Sequence, residues 1–302
     1  MKSTKTAESA LWKLINTSYI TDDKIQNIND FKNSDVNFRI ALWNPQTNGV
    51  RYLKTLIYNL CAELSAQNWY RLSKIKKRDV GAPISVIYDG QAVCMDYLQA
   101  IYETEFISDH IHLDEIDILE IGAGYGRTCH AILSNHLVKS YTILDLPNCL
   151  ELSRRYLTEV LDKESLSKVI FVKVIDFSNM DNHHFDLCIN IDSFAEMESE
   201  IVQHYLDYIA SHCEQLYVKN PVGKYEDPSL NTMPKGNEVA IALNMGVLRD
   251  VLDIHDSRSI ADQIPKFLAA YRPSTYWELV ADSWARPWSY YWQAIYQRSG
   301  NK

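Results

Sequence analysis

The stretch Ile116-Asp117-Ile118-Leu119-Glu120-Ile121-Gly122-Ala123-Gly124-Tyr125-Gly126 constrains the fold of this chain more than any other. A short apolar run ends in three glycines at alternate positions, and a helix-forming segment follows at once. Glycines so placed permit positive φ and bring bare backbone close to a ligand. Strand, glycine turn and helix in that order open an α/β sheet whose ligands sit beyond the carboxyl ends of its strands. The pattern then repeats. Apolar runs predict strands over 116–121, 141–144, 170–174, 187–191 and 215–218, and three- and four-residue spacing predicts helices over 128–137, 149–161 and 200–212. Such alternation is the sequence form of a parallel sheet with helices on both faces.

The first third reads differently. Residues 8–15, 52–64 and 93–107 carry helical spacing, so 1–114 is expected to form a helical cap and 115–302 the sheet domain, with the boundary near Asp114. Turn signals stand at Trp43-Asn44-Pro45 and Val80-Gly81-Ala82-Pro83, the latter leading to a short strand over 84–88 before Asp89-Gly90. Past Pro221 a polar stretch to Asn237 reads as a lid or binding loop. A helix is expected over 259–271, then an aromatic antiparallel hairpin, 276–285 and 288–296, around Arg286-Pro287.

Composition narrows the function. With 302 residues, 46% of them hydrophobic, the chain can bury a full core. A net charge of -9 disfavours nucleic acid as a partner, because neutralising phosphates needs clustered Lys and Arg. The chain has no apolar run of about 18 residues and no apolar signal core after Met1, so a cytoplasmic protein without membrane contact is expected. Cys61, Cys94, Cys129, Cys149, Cys188 and Cys213 are scattered without CxxC spacing and are expected to be reduced and buried, neither bridged nor bound to zinc. No HxxxH or carboxylate–histidine set has ligand spacing, so metal independence is expected.

Gly122-x-Gly124-x-Gly126 is one residue shorter than the dinucleotide GxGxxG, with Arg127 in the sixth place. Gly122, Ala123, Gly124, Tyr125 and Gly126 are the candidates to cradle a cofactor; alone, they would equally make a tight turn. Asp145 ends the next strand 19 residues after Gly126, where a carboxylate can accept from a ribose diol, with Leu146 beside it. Asp176 follows the third strand and could meet an adenine amino group, or be a solvated strand end, while Phe177 could flank the ring. Glu120 could face an ammonium, or be a buried structural carboxylate.

After the fourth strand Asp192 and Glu196 lie four residues apart, on one face if a helix begins there. Glu196 is the candidate base or acceptor ligand and Asp192 its helper; the alternative is that Asp192-Ser193 caps the helix. His183-His184 stand before that strand, at the wrong end of the sheet. Lys219-Asn220-Pro221 could hold an acceptor or be a plain turn. The aromatics Trp284, Trp288, Tyr290, Tyr291, Trp292 and Tyr296 could stack on an acceptor, with core packing the default. The basic run Lys74 to Arg78 reads foremost as a solvated helix end.

The segment Leu119-Glu120-Ile121-Gly122-Ala123-Gly124-Tyr125-Gly126-Arg127 resembles the cofactor motif of the sugar O-methyltransferases, a family of the class I, Rossmann-like methyltransferase fold. Tyr141-Thr142-Ile143-Leu144-Asp145-Leu146-Pro147 is similar to that family's next strand and turn. Asn190-Ile191-Asp192-Ser193-Phe194-Ala195-Glu196-Met197 resembles its segment after strand four, where glycine is commoner than Ala195. Val80-Gly81-Ala82-Pro83 resembles its Gly-Asn-Pro segment, with Ala82 in place of asparagine. The resemblance runs from about residue 80 to the end, and both departures bear on the acceptor rather than the cofactor.

That resemblance implies a Rossmann-like class I methyltransferase sheet with S-adenosylmethionine as cofactor and Asn190 among its contacts. It implies methylation of a hydroxyl on a sugar or other small biosynthetic intermediate. Three alternatives stay open: carbon or nitrogen methylation of an aromatic natural product, a non-catalytic partner keeping the fold, and, most distantly, a nicotinamide oxidoreductase. A homodimer through the aromatic-rich helical cap is a further expectation.

Overall fold

The computed structural model describes residues 9–19, 32, 35–180, 182–225 and 237–300. By its contacts the chain divides into residues 1–59 and 60–302. The first unit holds α1 (Ala10–Ser18), α2 (Asp35–Ile40) and most of α3 (Pro45–Glu63). Asn44 starts α3 by accepting from Gln46 N at 2.9 Å, and Pro45 fits the first helical position, where no N–H is needed. The expected helix over 52–64 largely coincides with α3, and that over 8–15 with α1, its Glu8 lying outside the described residues.

In the second unit α4 (Ala66–Lys74) precedes a hairpin of β1 (Ser85–Tyr88) and β2 (Gln91–Cys94), then α5 (Met95–Ser108). The helix expected from Val93 starts at Met95, because Val93 and Cys94 pair with Val86 and Ser85. Asp89 (φ 46°) and Gly90 (φ 74°) supply the two positive φ angles of a tight hairpin turn.

The main sheet follows: β3 (Asp117–Ile121), α6 (Arg127–Leu133), β4 (Ser140–Asp145), α7 (Pro147–Val160), α8 (Lys163–Ser167), β5 (Val169–Lys173), β6 (Phe185–Ile191), α9 (Ser199–His212) and β7 (Cys213–Pro221). After these come α10 (Asn237–Asn244), α11 (Ser257–Ala270), β8 (Trp277–Trp284) and β9 (Tyr291–Arg298). Among the described residues the order is β5-β4-β3-β6-β7-β9-β8, parallel from β5 to β7, with β9 antiparallel to β7 and β8. This is the Rossmann-like arrangement of the class I methyltransferase fold, as the strand and helix pattern leads one to expect.

The central strands read as unbroken apolar runs because both faces are buried. On β3, Leu119 and Ile121 join the core holding Leu144, Phe194 and Leu216. Ile118 joins the opposite core with Ile143, Ile189 and Tyr217. Each such aliphatic side chain contributes on the order of 1.5–3 kcal/mol. The hairpin at the end of the chain is present as expected, while α6 stops at Leu133 rather than residue 137, where Asn135 donates back to Ala131 O at 2.9 Å. A 3-10 turn, Val174–Met180, rather than a helix, joins β5 towards β6. None of the six cysteines is bridged, and all but Cys149 are buried. The loop expected over 222–237 lies mostly outside the described residues.

Candidate active site

At β3 the strand order reverses: β4 lies on one side and β6 on the other, which opens a crevice beyond their carboxyl ends. The glycine turn lines this crevice, with φ of 76° at Gly122, 59° at Gly124 and 90° at Gly126. The three glycines serve different ends. A Cβ on Gly122 would stand 2.2 Å from Ser193 Oγ, and one on Gly126 3.0 Å from Leu157 Cδ1, so those two let the turn close against its neighbours. A Cβ on Gly124 would meet nothing within 4 Å, so there the backbone faces open space. Asp145 fixes the turn: its Oδ2 accepts from Gly124 N at 2.9 Å and its Oδ1 from Leu146 N at 2.7 Å.

A cavity of about 320 Å³ fills the crevice, and Glu120, Gly122, Ala123, Gly124 and Tyr125 line it. Glu120 is buried and accepts from the Tyr141 hydroxyl at 2.8 Å; burial pushes its carboxyl up to about 7 against the pull of Tyr141 and Arg127. Behind it is a buried charge network. Glu103 on α5 meets Lys219 Nζ at 2.7 Å and Arg127 Nη2 at 2.9 Å. Burial alone would raise the Glu103 carboxyl, but these two cations hold it below the usual range. Arg127 also donates to Asp96 O at 3.0 Å, and Tyr125 OH to Asp96 Oδ2 at 3.0 Å.

A second cavity of about 570 Å³ adjoins the first, with Asp192 and Tyr291 in the walls of both. Its own wall adds Glu196, Lys224, Tyr225 and Tyr290 together with aliphatic side chains of α10. Asp192 holds a left-handed backbone (φ 69°), and Tyr291 OH donates to its Oδ1 at 2.7 Å. Asp192 makes no side-chain cap: Ser193–Glu196 is a 3-10 turn, and the carboxylate goes to Tyr291 instead. Burial, then Asp192, raises the Glu196 carboxyl, and Lys224 opposes them. Lys224 Nζ donates to Ala195 O at 2.7 Å.

The structure thus brings Glu120, the glycine turn, Asp192 and Glu196 around two adjoining cavities. Gly126 and Asp145 stand directly behind the turn, Leu146 is exposed at the start of α7, and Asp176 is exposed on the 3-10 turn after β5. Phe177 does not stand free to flank a ring: it is buried against His204, Tyr205 and Tyr208, because apolar burial outweighs exposure. Asn190 is fully buried and reaches neither cavity. Its amide donates to Ile121 O at 3.0 Å and to Ser193 Oγ at 2.6 Å, and accepts from Asn220 at 2.9 Å, so it clasps the ends of three strands.

His183 and His184 precede β6, away from the crevice, and in the basic run Lys77 pairs with Glu159 while Arg78 donates to the carbonyls of Leu72 and Ile75. Of the terminal aromatics Tyr296 is core, while Trp288, Tyr290 and Tyr291 wall the cavities. The sequence reading missed Asp96, Gln99 and Glu103. A signal existed for Glu103: an acid amid the apolar stripe Ala100, Ile101 and Ile107 needs a buried partner.

No protein-family profile matches the chain, and no curated protein matches it. Among solved structures it is similar to the glycopeptide N-methyltransferase MtfA complexed with S-adenosylmethionine, at 13% identity over 78% of this chain and 98% of that one, TM-score 0.44. The DhpI–SAH complex is similar at 15% over 78% and 96%, TM-score 0.43. An S-adenosylmethionine-dependent methyltransferase from Clostridium acetobutylicum is similar at 12% over 67% and 91%, TM-score 0.42. At these scores the fold assignment rests on the strand order itself.

Proposed function

We propose that this chain is an S-adenosylmethionine-dependent methyltransferase acting on a hydroxyl of a sugar or another small biosynthetic intermediate. The observation that carries the reading is the pair of cavities meeting at Asp192 and Tyr291, one at the glycine turn and one beside Glu196. Two features of the first support a cofactor there: bare backbone at Gly124 and a buried carboxylate at Glu120 for an ammonium; Asp145, behind the turn and bonded to Gly124 N and Leu146 N, is assigned with Leu146 to a ribose. Asp176 is assigned to the adenine amino group. When bound, the cofactor supplies a methyl carbon activated by a sulfonium, so the protein's work is alignment and proton removal.

Glu196 is assigned as base or acceptor ligand, because a raised carboxyl accepts a proton better near neutral pH. Asp192, oriented by Tyr291, is its helper. The aromatic and aliphatic walls of the larger cavity favour a second reading, methylation of nitrogen or carbon on an aromatic natural product; fragmentation of the product in a mass spectrometer separates the two. Separately, from composition and spacing, we propose a cytoplasmic, metal-independent protein able to form a homodimer, for which full activity in chelator and the mass in solution are the checks.

Calorimetric titration with S-adenosylhomocysteine and, separately, NADH tests the proposal. Micromolar binding of the former alone is expected. Binding of neither would favour a non-catalytic partner, and binding of NADH alone an oxidoreductase.

A further inference from the structure

We infer that the acceptor carries a protonated amine on an apolar or aromatic frame, seated in the larger cavity beside Glu196 and the neighbouring tyrosine rings. The inference rests on the methyltransferase reading and narrows its substrate class.

Charge is the first ground. Among the described residues, the wall of this cavity carries two carboxylates, Asp192 and Glu196, against the one ammonium of Lys224. That ammonium already donates to Ala195 O, and Asp192 already accepts from Tyr291. Glu196 is accessible and, among the described residues, its carboxylate makes no hydrogen bond, so it is the group left to receive a ligand. The second ground is the cost of that arrangement. Burial is the larger cause of the raised Glu196 carboxyl, and the Asp192 charge beside it adds to it against the pull of Lys224. Two like charges at one wall disfavour each other's ionised forms. A cation entering between them offsets the repulsion, a neutral alcohol does not, and an anion adds a third negative charge.

The rest of the wall supplies the third ground. Tyr225, Tyr290 and Tyr291 form an edge-to-face chain, with centroids 5.3 Å and 5.0 Å apart. Tyrosine faces attract ammonium groups, by roughly 0.5–2 kcal/mol depending on desolvation. Ile241, Leu243 and Met245 complete the wall, so the frame bearing the amine is expected to be apolar. Amine, ring and aliphatic contact are therefore available within one chamber.

The test uses the full chain saturated with S-adenosylhomocysteine and three matched probes: 2-phenylethylamine, 2-phenylethanol and 3-phenylpropionate. Calorimetry near neutral pH should give the amine about tenfold tighter binding than the alcohol, and the carboxylate the weakest. Glu196→Gln should remove most of that preference and leave S-adenosylhomocysteine affinity unchanged, which also reports a folded protein. Equal binding of amine and alcohol, tighter binding of the carboxylate, or no amine binding up to about 10 mM overturns the inference. The wild-type series decides even if the variant does not fold. Failure of S-adenosylhomocysteine to bind at the outset would instead sink the methyltransferase reading.

Discussion

Glu120 must be buried for β3 to pack and yet face the cavity at the glycine turn. Burial lifts its carboxyl from 4.5 to about 7, so the folded protein binds an extra proton between those values. The stability this contributes is complete below about 4.5 and is lost as pH rises through about 7. Glu120→Gln keeps an acceptor for Tyr141 but cannot ionise. From near pH 5 to near pH 8 the wild type should therefore lose up to about 3 kcal/mol relative to this variant, measured by urea unfolding. An equal difference at both pH values would show that this carboxyl does not titrate. Residues of this kind were legible where backbone demands are local: three alternate glycines can be read from sequence because positive φ leaves few choices. Phe177 and Asn190 were not, because only tertiary packing decides whether an aromatic or an amide turns inward.

At the scale of elements, α5, α6 and β7 are pinned by one carboxylate, Glu103, between Arg127 and Lys219. Removing it strands two buried cations, whereas removing Lys219 leaves Glu103 still paired with Arg127. Glu103→Gln should therefore cost about 3–5 kcal/mol, and Lys219→Met distinctly less. Denaturant unfolding of both variants gives the ranking, and the reverse order would show that Lys219 carries the network. The parallel strands were legible because burial on both faces writes continuous apolar runs. The helix α4 and the strand β2 were not. α4 shows the core only two buried residues, Asn68 and Leu72, and β2 runs straight into the apolar pattern of α5.

At the scale of the whole unit 60–302, the end of the chain completes what its middle begins. β9 lies between β7 and β8, and Trp288, Tyr290 and Tyr291, at its start, wall the two cavities. Period-two patterning announced the hairpin, but alternation along a strand says nothing of which strand lies beside it. A chain ending at Pro273 would leave the β7 edge unpaired and both cavities open. It should be insoluble or fail to bind S-adenosylhomocysteine; a soluble truncation with unchanged affinity would show that the hairpin is dispensable. The shared wall has a thermodynamic corollary. Because Asp192 and Tyr291 belong to both chambers, an occupant of one that shifts them alters the affinity of the other by some factor, and linkage returns the same factor in the opposite direction. The coupling can therefore be read from either side, by titrating one chamber with the other empty or filled.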